Sequence, residues 1–224
     1  DNRQMGPVVT ALSAGASDMS GWMLLGVPGA LYATGVANVW MIAGLIVGAY
    51  CNYLFLAKRL RVYTEVASDS ITIPDFLENR FKDRTKILRI ISGLIILIFF
   101  TLYVSSGIIA GGKTFESFFG LKFAYGAVFT LIIVVFYTFF GGFKAVSITD
   151  AFQGLLMFCV LVSIPVVAYL NLDLPGDTNL IKEISKLDAN HLNPFRDQTF
   201  WGILGLLAWG FGYFGQPHII VRFM

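Results

Sequence analysis

Apolar residues are concentrated in six stretches of the chain, separated by polar or glycine-rich connections. Each stretch is close to the roughly 20 residues that a helix needs to cross a bilayer. A hydropathy window of about 19 residues therefore predicts six membrane spans. They lie at 8–32, 37–57, 88–110, 123–140, 149–170 and 200–220. The pattern predicts an all-α polytopic membrane protein in which residues 1–224 form a single transmembrane region.

The first span contains polar and helix-breaking residues that a plain membrane anchor does not need. Asp18 falls near its middle, where an ionised side chain costs about 2.5–3.5 kcal/mol on insertion scales. Neighbouring glycines and Pro28 weaken the helix, and nearby serines offer oxygen atoms. Interrupted helices at the membrane midplane hold small cations and anionic substrate groups in secondary transporters. We interpret this span as an ion and solute site.

The sixth span has the same interrupted character, with glycine or proline at Gly202, Gly205, Gly210, Gly212, Gly215 and Pro217. Interrupted spans in the first and sixth positions fit a repeat of five helices with a substrate site between the repeats. Close helix packing explains such glycines equally well. Trp209, Tyr213 and Phe214 favour the pocket, because aromatic faces suit an apolar ring or an ammonium group.

Basic residues indicate the orientation of the spans. Half of them lie in the connection between the second and third spans, at Lys58, Arg59, Arg61, Arg80, Lys82, Arg84, Lys86 and Arg89. By the positive-inside rule this connection is cytoplasmic, so the first span runs outward and the sixth returns inward. Within it, Thr72 is predicted to cap a short helix that starts at Pro74. Outside, an amphipathic helix is predicted from Leu180, Ile181, Ile184 and Leu187.

Composition excludes several other classes of protein. Hydrophobic residues make up 56% of the chain and charged residues 13%, which is unlike a soluble domain. The net charge of +2, without a basic patch, argues against nucleic-acid binding. Cys51 and Cys159 lie in apolar runs and the two histidines are far apart, so neither a disulfide framework nor a clustered metal site is indicated. No nucleophile, base and oxyanion arrangement predicts an enzyme.

Asp150 and Tyr103 can each be interpreted in two ways. Asp150 follows the Gly141–Gly142 pair at the predicted start of the fifth span. It is either a helix cap and dipole partner or an anionic station on a cation path. Tyr103 in the third span either offers its hydroxyl to a substrate or is a buried tyrosine satisfied by a carbonyl.

Four segments form a much more specific pattern: SAGASDMSGW at 13–22, TIPDFLENRF at 72–81, GGFKAVSITDAFQ at 141–153 and WGFGYFGQPHIIVRFM at 209–224. Together they closely resemble the sodium/solute symporter family, and the resemblance covers essentially the whole chain. Members of that family have a core of two inverted five-helix repeats preceded by one extra helix. The resemblance implies that this chain provides the first repeat and the first helix of the second, as a segment truncated at both ends.

The resemblance also implies a sodium site at the break of the first core helix. The backbone carbonyls of Ala16 and Met19 are the implied ligands, and Asp18 is implied to be needed for sodium binding. Asp150 is implied to line the route by which sodium leaves toward the cytoplasm. The family's remaining sodium ligands are hydroxyls of the eighth core helix, which this sequence does not include.

For the substrate, the resemblance implies L-proline bound beside Ser20, Gly21, Trp22, Tyr103, Trp209, Tyr213 and Pro217. The implied activity is sodium-coupled import of L-proline across the plasma (inner) membrane by alternating access, with Na⁺ as the coupled ion. Three alternatives remain open at this point: another small solute, proton coupling through Asp18, and a symporter-like membrane sensor that carries a signalling domain.

Overall fold

The computed structural model describes residues 6–19, 21–172 and 180–224, and within these ranges the regular structure is helical and contains no strand. The α-helices are α1 (Pro7–Asp18), α2 (Val27–Thr34), α3 (Val39–Cys51), α4 (Lys58–Val66), α5 (Ile73–Phe81), α6 (Ile87–Phe119), α7 (Phe123–Leu170), α8 (Leu180–Leu187), α9 (Phe200–Leu207) and α10 (Pro217–Ile220). Two π-helices, Trp22–Gly26 and Asn52–Ala57, and three 3₁₀-helices, Gly35–Asn38, Ala208–Phe214 and Val221–Phe223, connect or extend them. The all-α class is confirmed.

Among the described residues, three helical stretches are long and apolar enough to cross a membrane: Trp22–Val66, Ile87–Phe119 and Phe123–Leu170. Two of them contain a glycine with a left-handed φ, +76° at Gly35 and +58° at Gly142. Glycine is favoured at such positions because it has no Cβ to clash with the backbone. Both glycines lie between predicted spans, so the helix direction is interrupted where the hydropathy pattern places connections.

Hydroxyl and carboxylate side chains organise the helix starts. The Thr72 hydroxyl accepts a hydrogen bond from the Asp75 N–H at 3.3 Å, which confirms the predicted cap of α5. The Thr199 hydroxyl likewise accepts from the Gly202 N–H at 3.1 Å at the start of α9. Before α6, Asp83 accepts from the Thr85 hydroxyl at 2.5 Å and from the Leu88 N–H at 2.8 Å. These hydrogen bonds hold the pKa of the Asp83 carboxyl below its usual value.

The described residues form two compact units. The first unit takes its described residues from 6–19, 21, 57–154 and 217–224, and the second from 22–56, 155–172 and 180–216. In the first unit, α1 packs against α10 and α5 packs against α6. The approach of α7 to α1 is close, because a Cβ placed on Gly154 would lie 2.8 Å from the Cβ of Ala16. A larger residue than glycine at this point would separate the two helices.

In the second unit, α3 packs against α9 and against the 3₁₀-helix Ala208–Phe214. The contact is made by backbone: a Cβ on Gly44 would lie 2.5 Å from the Leu207 carbonyl oxygen, and a Cβ on Gly48 2.3 Å from that of Gly210. At the far end of α3, the Trp40 indole N–H donates to the Pro194 carbonyl at 2.9 Å. Small residues that allow backbones to touch are a common basis of helix packing in membranes.

We expect Gly48→Ala to destabilise the natural full-length protein by about 1–3 kcal/mol, because the added methyl group overlaps the Gly210 backbone. Gly205→Ala is the matched control. It lies inside α9 with no atom within 4 Å of the added Cβ, so it is expected to be neutral or stabilising by up to about 1 kcal/mol. Thermal unfolding in nanodiscs measures both. Equal effects of the two substitutions would contradict the packing described here.

Candidate functional site

The first span is interrupted where the sequence predicts a break. Helix α1 ends at Asp18, and Met19 is extended, with φ −72° and ψ 90°. The Met19 N–H donates to the carbonyls of Ala16 at 3.1 Å and Gly15 at 3.3 Å. The next described residue, Gly21, is helical again, whereas Ser20 lies outside the described residues. Each of these carbonyl oxygens keeps a second lone pair, and backbone oxygens at such a helix end are suited to a cation.

A buried ion pair lies in the same unit as this break. The Arg222 guanidinium donates from Nη2 to Asp150 Oδ2 at 2.6 Å, and the two side chains are only 8% and 16% exposed. Its Nη1 donates to the Ser147 hydroxyl at 2.5 Å and also to the Ser13 hydroxyl. The Phe143 ring lies 5.1 Å from the guanidinium carbon. A buried charge pair is tolerated more readily when further hydrogen bonds satisfy its remaining groups. The two serines do this for Nη1, whereas the buried Nε of Arg222 has no hydrogen-bond partner among the described residues.

Ser17 connects the ion pair to the helix break. Its hydroxyl is within 2.8 Å of the Ser13 carbonyl and 3.4 Å of Asp150 Oδ2, so both oxygens are acceptors for the same donor. The Tyr103 hydroxyl donates to the Ser17 carbonyl at 3.4 Å. Two residues predicted to belong to the site, Asp150 and Tyr103, thus both contact the residue that directly precedes Asp18.

Of the two interpretations of Asp150, a helix cap or an anionic station on a cation path, the observed contacts bear only on the cap. The non-helical residue in α7 is Gly142, so Asp150 lies about two turns into the helix that follows it. Its carboxylate bonds to Arg222 and does not cap the helix start. For Tyr103, the observed partner of the hydroxyl is a backbone carbonyl, and that carbonyl belongs to the end of α1.

The residues predicted to contact the substrate are divided between the two units. Gly21, Tyr103 and Pro217 belong to the first unit. There the Tyr103 ring lies 5.0 Å from the ring of His218, the residue after Pro217, and the Phe100 ring lies 5.3 Å from His218. Pro217 and His218 also line a mainly apolar cavity of about 550 Å³ in this unit. Tyr103 and the start of α10 are therefore neighbours.

The second unit contains Trp22, Trp209 and Tyr213. The indole rings of Trp22 and Trp209 are stacked, with centroids 6.1 Å apart and planes inclined by 19°. Both indoles are about half exposed, whereas Tyr213 is almost fully buried. The structure thus brings two of the predicted aromatic contacts together and leaves their faces accessible.

Sequence reasoning missed Arg222, which it used only as one of the basic residues that set the topology. The available signal was weak: a single arginine follows the glycine-rich sixth span, and a single carboxylate lies in the fifth. A charge at either place is costly in a membrane unless it is paired. Pairing the two on that ground would have found the contact, although they are 72 positions apart.

Asp150→Asn and Arg222→Met are each expected to destabilise the natural full-length protein by about 3–5 kcal/mol, because each leaves the other group buried without its partner. The double variant should lose clearly less than the sum of the two single variants. Lys113→Met is the control, since the Lys113–Glu116 pair is exposed at its surface and is worth no more than about 1 kcal/mol. Additive losses in denaturant unfolding would show that the two residues do not interact.

Comparisons with known proteins agree with these features. The family described as "Sodium:solute symporter family" matches residues 1–224. The "Sodium/proline symporter" of Staphylococcus aureus is 55% identical over 222 residues, which cover 99% of this chain and 43% of that protein. The proteins of that name from strains JH9 and NCTC 8325 / PS 47 match at the same identity and coverage.

The chain spans 43% of the length of these curated relatives. No solved structure matches it significantly. Its three long apolar helices are those of a multi-pass protein of the plasma membrane. With the family match extending over every residue, the chain belongs to the sodium:solute symporter family.

Proposed function

We propose that the full-length protein imports L-proline together with sodium by alternating access. The observation that carries the proposal is the break of the first span at Asp18 and Met19, a carboxylate beside extended backbone in an apolar segment. The 55% identity to proteins named sodium/proline symporters supports the same choice of ion and solute. No covalent chemistry is needed, because the chain has only to bind and release its cargo.

In this proposal the backbone carbonyls of Ala16 and Met19 are sodium ligands. Both residues adjoin the end of α1, where the helix offers oxygen atoms. The Asp18 carboxylate contributes negative charge in an environment of low dielectric constant, which favours a bound cation. Hydroxyl ligands from a later core helix, outside this sequence, complete the coordination.

Asp150 is proposed to line the sodium exit route. In the described conformation its carboxylate is neutralised by Arg222 and also accepts from Ser17. A sodium ion that leaves the break therefore meets a carboxylate whose charge is shared with a guanidinium. Competition between the two cations weakens the hold of Asp150 on sodium, as an exit route requires.

For L-proline, the proposed contacts are Ser20, Gly21, Trp22, Tyr103, Trp209, Tyr213 and Pro217. Helical geometry resumes at Gly21, and the N-terminal end of a helix attracts a carboxylate. The stacked indoles of Trp22 and Trp209 present accessible aromatic faces to the pyrrolidine ring and its ammonium group.

The proposal includes the topology. It has six spans, places residues 58–89 in the cytoplasm and assigns the chain to a five-plus-five inverted repeat. With this orientation, sodium entry moves one positive charge inward across the membrane potential. At 100 mV this supplies about 2.3 kcal/mol per ion. That energy alone corresponds to a roughly fiftyfold accumulation of a neutral amino acid.

The test is uptake of radiolabelled L-proline into proteoliposomes that contain the natural full-length protein, with sodium or potassium outside. Sodium-dependent uptake is expected, and Asp18→Asn should reduce it at least about tenfold by removing the charge beside the ion. Asp197→Asn is the matched control, because this carboxylate is 88% exposed in a loop. It should leave uptake unchanged.

Other outcomes would favour the remaining alternatives. Uptake that follows a proton gradient and ignores sodium would overturn the ion assignment and keep proline. Sodium-dependent uptake of another small solute, without proline, would overturn the substrate. Absence of transport combined with ligand-dependent signalling would favour the sensor.

A further inference from the structure

Asn52 is a buried polar residue that the functions described so far do not use. Its side chain is 0% exposed, and among the described residues neither the amide nitrogen nor the amide oxygen has a hydrogen-bond partner. It also begins the π-helix Asn52–Ala57. Short π-helical segments inside longer helices occur frequently at functional sites. A buried amide without partners destabilises the conformation that contains it. We therefore look for a second conformation in which the Asn52 amide is hydrogen-bonded.

The spacing of residues places Asn52 on the continuation of the α3 face that contacts the 3₁₀-helix Ala208–Phe214. Residues 44, 48 and 52 follow one another at intervals of four, which places them on one helix face. The first two make the backbone contacts described above, Gly44 with Leu207 and Gly48 with Gly210. Asn52 is the next position on this face and the first with a polar side chain.

The register of these contacts places Asn52 level with Tyr213. Four residues of α-helix advance by about 6 Å, and three residues of 3₁₀-helix advance by the same length. The observed contacts advance in this direction, since Gly44 meets Leu207 and Gly210, and Gly48, one turn further along α3, meets Gly210. One further step leads from Gly210 to Tyr213, a proposed substrate contact.

The segment opposite Asn52 has an unusual geometry. Ala208–Phe214 is a 3₁₀-helix of seven residues, whereas runs beyond three or four residues are uncommon. Conversion to α-geometry would shorten it by about 0.5 Å per residue and move each hydrogen bond from the third to the fourth residue. Carbonyl and N–H groups near its end would then change partners next to Asn52.

We propose that Asn52 is a positioning residue for the segment Ala208–Phe214. Its amide forms hydrogen bonds with backbone groups near Tyr213 when the segment shifts toward α-geometry, and so sets the positions of Trp209 and Tyr213. The lack of partners in the described conformation biases the equilibrium toward the shifted one, because only that state satisfies the amide. The consequence for transport rests on the proposed function, whereas the effect on the segment does not.

The test compares Asn52→Leu with wild type in the natural full-length protein in nanodiscs. Leucine has a similar volume and loses no hydrogen bond in the described conformation. The thermal midpoint of the ligand-free protein should therefore rise by about 2–4 °C. Sodium-driven proline uptake should nevertheless fall about tenfold, because the shifted state loses its polar partner. Asn52→Ser, which retains a donor and an acceptor, should recover part of the uptake.

Asn171→Leu is the matched control. Asn171 is an exposed asparagine of the same unit, at the end of α7, and its amide donates to the Val167 carbonyl. The substitution should change neither the uptake nor the amide exchange of residues 208–214 by more than about twofold. Hydrogen exchange without sodium or proline should show increased protection of 208–214 in Asn52→Leu, because the described conformation is then favoured.

Two results would overturn the proposal. One is unchanged exchange of residues 208–214 in Asn52→Leu. The other is a lower thermal midpoint with uptake reduced only in proportion to the folded fraction, which is the signature of a purely structural residue. Failure of the wild type to take up proline would instead reject the proposed function. The hydrogen-exchange measurement would still test whether Asn52 positions residues 208–214.

Discussion

The buried ion pair between Arg222 and Asp150 is the interaction on which the first unit depends. It joins α7 to the C-terminal 3₁₀-helix, and the two serines that accept hydrogen bonds from Nη1 of the guanidinium lie on α1 and α7. An unpaired charge in this position would be far more costly than the pair, so these three elements are constrained to remain together. The end of α1, with Asp18 and Met19, is held in place by the same network.

This arrangement links a structural requirement to the proposed transport. A rigid, paired carboxylate lies one hydrogen bond from Ser17, and Ser17 directly precedes Asp18. The helix break thus sits at the edge of a charge-balanced cluster and not in a purely apolar environment. In the second unit, glycine contacts with α3 hold the segment Ala208–Phe214, an element of unusual geometry whose Trp209 stacks on Trp22. The helix break in the first unit and the 3₁₀-helix in the second are each a segment of irregular backbone that is held by a firmly packed neighbour.

Features that depend on local sequence were predictable. The interruption near Asp18, the cap at Thr72 and the directional change at Gly142 follow from residues with strong backbone preferences. Features that depend on distant contacts were not. Arg222 and Asp150 are 72 positions apart, and the register that places Asn52 beside the 3₁₀-helix requires knowing how two helices pack. Periodicity also predicts helices without distinguishing α-, 3₁₀- and π-geometry, so neither π-helix was foreseen.

Sodium binding at the break formed by Asp18 and Met19 is the property on which the proposed transport depends. Equilibrium binding of radioactive sodium to the purified natural full-length protein measures this directly, without requiring a complete transport cycle. The wild type should bind sodium saturably, Asp18→Asn should bind it at least about tenfold more weakly, and Asp197→Asn should bind it as the wild type does. Sodium binding by Asp18→Asn as tight as that of the wild type would contradict a sodium site at this break.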